Sequence, residues 1–201
     1  MSAHVLVVYY SATGSVHRLA RAVAEGAESS GAEVRLRRVA ELAPDEAIAA
    51  NPDWSAHHRE TESTVEVAEL ADLEWADGYA FGTPTRYGAP AAQLKQFIDT
   101  AGSLWQEGKL ADKPVTAFVS SAERHGGQES TILSLNNVFY HWGAVIVPLG
   151  YTDDAVYASG GNPYGTSWPA GFPSILPDET ALACARFQGA RLARFTTLLA
   201  G

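Results

Sequence analysis

The chain has 201 residues, with 14 basic and 23 acidic side chains and a formal net charge of −9. This length suits one α/β domain, and we expect residues 1–201 to form a single domain. The acidic balance argues against nucleic acid as a partner, because the phosphate backbone would be repelled. A single cysteine and the lack of a long apolar run predict a cytoplasmic protein that does not insert into membranes.

Apolar runs alternate with helical patterns along the chain. Strands are predicted at 4–10, 33–38, 78–83, 115–121 and 144–147. Helices are predicted at 16–27, 67–76, 91–100, 128–142 and 178–200, with a long loop at 40–66 that has room for a short helix and a Gly/Pro/aromatic insertion at about 148–177. This alternation predicts an α/β fold with a doubly wound parallel sheet and helices on both faces. Because ligands bind at the carboxyl ends of such strands, the loops after strands one, three and four should form one site.

The loop after strand one carries three hydroxyls and a glycine in the stretch from Ser11 to Ser15. Hydroxyls and backbone N–H groups at a helix amino end form a cradle for phosphate. The loop lacks the lysine of GxxxxGK[ST] and the glycines of GxGxxG, which favours a phosphate monoester such as that of FMN, bound without a metal. An ordinary loop with a good helix cap explains the same residues equally well.

Two further loops complete the predicted site. The stretch GTPTRYG follows strand three, where Pro84 stiffens the turn, Tyr87 could line a planar ring and Arg86 offers hydrogen bonds or charge. A Gly/Pro turn with a surface arginine is the alternative interpretation. The stretch SSAERHGGQE follows strand four and predicts the third wall.

Several stretches, in this order, resemble the WrbA family of flavodoxin-like NAD(P)H:quinone oxidoreductases over nearly the whole chain. They are VLVVYYSATGSV, ARAVAEGAE, FGTPTRYGAPAAQLKQFID, GSLW, GGQE, GAVIVPLGY, GGNPYG and ARFQGARLA. The resemblance implies a five-stranded sheet of order 2-1-3-4-5, non-covalent FMN, and two-electron reduction of quinones by NADH or NADPH. It further implies a ping-pong sequence, in which nicotinamide passes a hydride to the flavin and the quinone then takes the same place.

The resemblance also assigns cofactor-binding residues. The FMN phosphate would be held by Ser11, Ala12, Thr13, Gly14, Ser15 and Val16. The isoalloxazine ring would be wrapped by Pro84, Thr85, Arg86 and Tyr87 on one side. Its other side would be covered by Ser121, Ala122, Glu123, Arg124, His125 and Gly126.

Two residues are candidates for the catalytic step by the same resemblance. His141 would reach the ring from the next helix and stabilise charge or pass a proton, and Trp105 would line the pocket for nicotinamide and quinone. A histidine favoured by the dipole of its helix and an aromatic anchor of a loop are the structural alternatives. No metal site is predicted, because the adjacent His57 and His58 are interpreted as surface residues of a polar loop.

The chain departs from the family pattern in two places. The third loop reads Ala122-Glu123-Arg124-His125 where the family usually has small residues and glycines, and Thr13 stands where a tyrosine is common. A carboxylate at Glu123 would lower the potential of a bound flavin. Arg124 would offset that charge or pair with a phosphate of the nicotinamide cofactor.

Two other functions stay open at this point. An electron carrier of flavodoxin type would need a separate reductase, and a relative with weak or no FMN binding would have a structural or regulatory role. NADH or NADPH as reductant and the natural acceptor are also left open. Since residues 148–177 are rich in aromatic side chains, we expect them to pack against another subunit, and the family resemblance implies a homotetramer.

Overall fold

The computed structural model describes residues 2–200, which form a parallel sheet covered by helices on both faces. The strands are β1 (His4–Tyr9), β2 (Glu33–Arg38), β3 (Gly78–Arg86), β4 (Ala89–Pro90), β5 (Pro114–Ser121), β6 (Val145–Ile146) and β7 (Ser167–Pro169). The helices are α1 (Ser15–Ser29), α2 (Asp45–Ala49), α3 (Pro52–Glu62), α4 (Leu70–Trp75), α5 (Ala92–Asp99), α6 (Gly102–Gln106), α7 (Gln128–Trp142), α8 (Asp154–Ala158) and α9 (Glu179–Leu199). Within residues 2–200, every helix is too short or too polar to cross a membrane.

The sheet has the order β2-β1-β3-β5-β6, with all of these neighbours parallel. This order confirms the predicted doubly wound, flavodoxin-like topology, since β5 and β6 are the fourth and fifth strands predicted from the sequence. Strand β1 lies near the middle and is apolar throughout its buried part, as expected for a strand covered on both faces. The number of strands differs from the prediction, because β4 pairs antiparallel with β3 and β7 pairs parallel with β5.

The fifth strand position is shared by two separate segments of the chain. Strand β6 pairs with Pro114 and Val115 at the start of β5, whereas β7 pairs with β5 residues 119–121 at its end. Residues 147–166 leave the sheet between these two segments. The sequence prediction of one short strand followed by an insertion missed β7, because three residues are too few to show a period.

The region at 40–66, predicted as a long loop with room for one short helix, contains the two helices α2 and α3, so the prediction underestimated its helical content. Helix α3 has 11 residues and begins after Asn51, whose side chain accepts hydrogen bonds from the backbone N–H groups of Asp53 and Trp54. Pro52 occupies the first helical position, where its missing N–H costs nothing. The helix starts because of this cap, since few of its residues are apolar.

Helices α1 and α9 lie against each other on one face of the sheet, and two glycines permit their close approach. A methyl group placed on Gly26 would lie 1.9 Å from the carbonyl oxygen of Arg186. A methyl group on Gly189 would lie 1.9 Å from the carbonyl oxygen of Val23. Gly26 and Gly189 therefore mark the packing contact between α1 and α9, and this contact supports the strand that leads to the first loop.

Candidate active site

A cavity of about 610 Å³ lies beyond the carboxyl ends of β1, β3 and β5. All three predicted loops line it, as the topology of the sheet requires. Its wall consists of Ser11, Ala12, Thr13, Ser15 and Val16 after β1, residues 84–87 at the end of β3, residues 120–123 and Gly126 at the end of β5 and in the loop beyond it, Asn51, Asp53 and Trp54 around the start of α3, and residues 170–174 after β7.

The amino end of α1 faces the part of the cavity formed by the loop after β1. Gly14 precedes the helix with φ at 96°, no side chain caps the helix start, and its first turn contains no acidic residue. The first N–H groups of α1 are therefore available to an anion, and the helix dipole favours one there. The hydroxyls of Thr13 and Ser15 lie beside them, contacting Ser174 Oγ at 3.3 Å and the Ile175 carbonyl at 3.4 Å. This donor set fits a phosphate group.

Two histidines are buried directly beneath this loop. His17 Nδ1 lies 2.5 Å from the hydroxyl of Tyr9, and the His17 and His57 rings are 5.3 Å apart. Burial lowers the pKa of His17 to about 4, with a further contribution from nearby His57, and burial also lowers the pKa of His57. The prediction that His57 is a surface residue was therefore wrong, because its side chain packs between α1 and Gly14. Within residues 2–200, no cluster of three or more His, Cys, Asp or Glu side chains could hold a metal ion.

The loops after β3 and β5 are joined to each other. The hydroxyls of Thr85 and Thr131 are 2.6 Å apart, and the Ser130 hydroxyl donates to the carbonyl of Gly88. A methyl group on Gly127 would lie 2.8 Å from Cα of Gly88, so both glycines are needed for this approach. Two of the cavity's three loops thus form one connected wall.

The loop at 121–126 divides its residues between two cavities. Ser121, Ala122, Glu123 and Gly126 line the 610 Å³ cavity. Arg124 and His125 instead line a neighbouring cleft of about 440 Å³, which β7 and the start of α9 also border. The loop conformation is maintained by Ser121, whose hydroxyl donates to the Glu123 carbonyl and accepts from the Gln128 amide.

Trp105 and His141 lie together, but away from the cavity of their own chain. The indole N–H of Trp105 donates to the His141 carbonyl at 2.8 Å, and the Trp105 side chain is 51% exposed. Helix α7 begins at the cavity and has 15 residues, so its last turn with His141 is about 20 Å from there. Neither side chain lines the 610 Å³ cavity.

Sequence reasoning missed two parts of the cavity wall. One is the segment after β7, residues 170–174, which returns to the site through the hydrogen bond from Ala170 N–H to the Ser121 carbonyl. The other is the start of α3, with Asn51, Asp53 and Trp54. The pair Asn51-Pro52 is a typical helix start and would have located α3. No sequence signal placed that helix at the cavity.

Known proteins match this chain over most of its length. A family model described as NADPH-dependent FMN reductase matches residues 1–154. A protein from Sinorhizobium fredii named NAD(P)H dehydrogenase (quinone) is 47% identical over 203 residues, covering 98% of this chain and 99% of that protein. Its namesake from Deinococcus radiodurans is 43% identical over 195 residues, covering 97% and 96%.

Solved structures show the same fold. The crystal structure of a flavodoxin, WrbA-like protein from Agrobacterium tumefaciens aligns with a TM-score of 0.70 at 28% identity, covering 98% of this chain and 99% of that one. A flavodoxin from the domain Archaea aligns with a TM-score of 0.63 at 16% identity, which supports the fold alone.

Proposed function

Since the chain belongs to the NADPH-dependent FMN reductase family and, within it, to the WrbA-like quinone oxidoreductases, we propose that the 610 Å³ cavity is its active site. The protein is an FMN-dependent NAD(P)H:quinone oxidoreductase. The observation that carries the assignment of the site is the uncapped amino end of α1, which opens into this cavity.

The phosphate of FMN is held at the loop after β1. The N–H groups that begin α1 and the hydroxyls of Ser11, Thr13 and Ser15 supply neutral donors, while Ala12, Gly14 and Val16 let the ligand approach the backbone. His17 lies directly below, and its lowered pKa keeps it uncharged at neutral pH. The charge of the phosphate is therefore balanced by backbone dipoles and hydrogen bonds.

The flavin ring is bordered by residues 84–87 and by the cavity-facing part of 121–126. Bound FMN supplies the two-electron transfer from NAD(P)H to the quinone. The joined loops keep the ring in place, since Thr85 bonds to Thr131 and the two glycine backbones touch. Arg124 and His125 do not contact the flavin in this proposal, because they line the adjoining cleft.

Trp105 and His141 take part in the reaction from a neighbouring subunit. Both are on the surface at the end of α7 that is far from their own cavity, so they reach a flavin only in an oligomer. Exposed aromatic residues of the 148–177 segment support such an assembly, among them the stacked pair Tyr151 and Tyr157 with ring centres 5.4 Å apart. The assembly is a homotetramer of single-domain chains, and the lone buried Cys184 suits a cytoplasmic protein.

The activity is tested with protein reconstituted with FMN in the absence of oxygen. NADH or NADPH should bleach the flavin absorbance, and benzoquinone should restore it. Flavin that stays oxidised with both reductants, but accepts electrons from a separate reductase, would contradict the enzyme and favour a carrier.

The site between subunits is tested by co-expressing two variants. Thr13→Glu places a carboxylate where the phosphate binds, and Trp105→Ala removes the ring that reaches the neighbour. Each variant alone should have little activity. Mixed oligomers should regain part of it, because one chain supplies the cofactor loop and the other the tryptophan. Mixtures no more active than the two variants apart would contradict a site shared between subunits, and full activity of Trp105→Ala alone would place Trp105 outside the reaction.

A further inference from the structure

Trp54 lines the same cavity as the three cofactor loops, but it comes from a different part of the fold. It lies in the first turn of α3, which follows β2, whereas the proposed FMN-binding loops follow β1, β3 and β5. In the strand order, β2 is the outermost strand on the side of β1. A group in contact with Trp54 is therefore beside the flavin cradle and outside it.

Helix α3 is fixed against the protein along the face that carries Trp54. His57 is 7% exposed and Thr61 is 5% exposed, and these residues follow Trp54 at helical spacing. His57 contacts the phosphate-binding loop near Gly14. The indole of Trp54 is thus held at the cavity by a helix that is itself anchored beneath the cofactor loop.

Glu41 orients the indole of Trp54. One carboxylate oxygen, Oε2, accepts from the Trp54 indole N–H at 3.1 Å and from the Tyr10 hydroxyl at 2.8 Å. The other, Oε1, accepts from the Gln93 amide at 2.7 Å and from the N–H groups of Leu42 and Ala43. These hydrogen bonds outweigh the effect of burial and lower the pKa of Glu41, so it remains an acceptor at neutral pH.

Because its only polar side-chain atom is bonded to Glu41, the surface that Trp54 contributes to the cavity wall is apolar. Such a surface attracts a flat ring and gives it no hydrogen bond. In a reaction where nicotinamide and quinone bind in turn, one flat surface can serve both.

We propose that Trp54 is a contact residue for the planar ring of the second reactant, nicotinamide or quinone, and that Glu41 is its positioning residue. This inference rests on the proposed function of the cavity. It adds to the active site a specificity-determining wall on the side of β2. The residues of this wall lie in a region that the sequence analysis assigned to a loop.

The first test measures binding without turnover. Oxidised holoenzyme is titrated with benzoquinone, and the change in flavin absorbance gives the dissociation constant. Trp54→Leu should weaken quinone binding about tenfold, the loss expected for one stacked aromatic pair and its buried area. The dissociation constant of FMN itself should change by less than about twofold, since Trp54 contacts the second reactant and lies outside the flavin cradle.

A matched variant controls for the loss of a tryptophan. Trp75→Leu removes an indole at the end of α4, where it stacks on His4 and Arg35 on the side of the sheet away from the cavity. It should leave quinone binding unchanged. Equal effects of both variants would overturn the proposal, and so would a Trp54→Leu variant that loses FMN affinity while its quinone affinity is intact.

The second test separates positioning by Glu41 from a merely structural role. Glu41→Gln should weaken quinone binding in the wild-type background, because the amide group cannot accept all five hydrogen bonds. In a Trp54→Phe background, which has no indole N–H, the same substitution should have almost no further effect on quinone binding. Additive effects would show that Glu41 does not act through Trp54. Because the titration needs no reductant, a failure of NAD(P)H to reduce the flavin would count against the proposed function alone.

Discussion

The hydroxyl of Tyr9 shares a hydrogen bond of 2.5 Å with Nδ1 of His17, beneath the loop that we assign to the FMN phosphate. Burial raises the pKa of Tyr9 and lowers that of His17 to about 4, so the tyrosine keeps its proton and the histidine stays neutral. Both groups are therefore uncharged at neutral pH, and the hydrogen bond joins two neutral partners.

Stability should therefore fall on acidification through the range set by His17 and His57. Both have an ordinary pKa near 6.5 when unfolded and a lowered pKa when folded, so the unfolded chain takes up protons first. The stabilisation is complete above about pH 6.5 and is lost towards pH 4, with a slope of up to about 1.4 kcal/mol per pH unit for each histidine. Urea unfolding of the FMN-free protein at several pH values measures this slope. The double variant His17→Gln, His57→Gln should have a shallower one, and an identical slope would contradict the assignment.

Gly14→Ala should weaken FMN binding as well as stability. The residue has φ at 96°, a conformation that alanine rarely adopts, so the loop must move even though a methyl group would make only ordinary contacts with Leu176 and His57. A displaced N–H group that no longer reaches the phosphate would weaken FMN binding roughly tenfold. The dissociation constant from FMN fluorescence titration checks this value.

Gly31→Ala is the matched control for that substitution. Gly31 has φ at 87° and open space around it, at the far end of α1. It should lose about 1 kcal/mol of stability from the same backbone strain and bind FMN as the wild type does. If both variants bind FMN equally well, the loop after β1 does not hold the phosphate.

Glu123→Gln should raise the midpoint potential of the bound flavin. Glu123 lines the cavity, and a negative charge there opposes the addition of electrons to the ligand. The expected rise is of the order of 30 mV, which corresponds to a tenfold change for a two-electron couple. A spectroscopic redox titration measures it. Glu129→Gln, which removes a carboxylate of the neighbouring cleft, should leave the potential nearly unchanged, and equal shifts would contradict a specific effect of Glu123.

Gly189→Ala and Gly26→Ala should each destabilise the protein by about 1–3 kcal/mol, the usual effect of an overpacked contact. Each added methyl would lie 1.9 Å from a carbonyl oxygen of the facing helix, so α1 and α9 must separate. Thermal unfolding should show a melting temperature lower by about 2–4 °C per kcal/mol in a chain of this size. Gly102→Ala, at a position with open space, should be close to neutral. Wild-type melting temperatures for the first two variants would contradict the packing argument.

The sequence predicted the elements that bury a regular face. Strand β2 and helix α7 have the predicted bounds, because alternation and helical spacing are clear there and Gly143 ends the helix with φ at 70°. Helix α3 was missed because its amphipathic pattern is weak and its stability depends on the Asn51 cap and on His57. The sequence pattern therefore predicts those elements that form because one of their faces is buried.

The three loops of the site were predicted because strand topology alone brings them together. Their finer geometry was not, since a sequence does not show which way a side chain turns. Arg124 and His125 follow Glu123 directly but face a different cleft. Trp105 and His141 likewise lie beside each other and far from the cavity of their own chain. The length of α7 sets this distance, and the sequence alone does not show in which direction the helix leaves the site.

Because the fifth strand position is shared by β6 and β7, two structural roles that one continuous strand would combine belong to separate segments. Strand β6 completes the base of the sheet beside Pro114 and Val115, whereas β7 delivers residues 170–174 to the rim of the cavity. The segment between them, residues 147–166, can therefore change in length or in its exposed residues without moving either β6 or the cavity wall. Relatives with the same active-site cavity can in this way differ in the surface that this segment exposes.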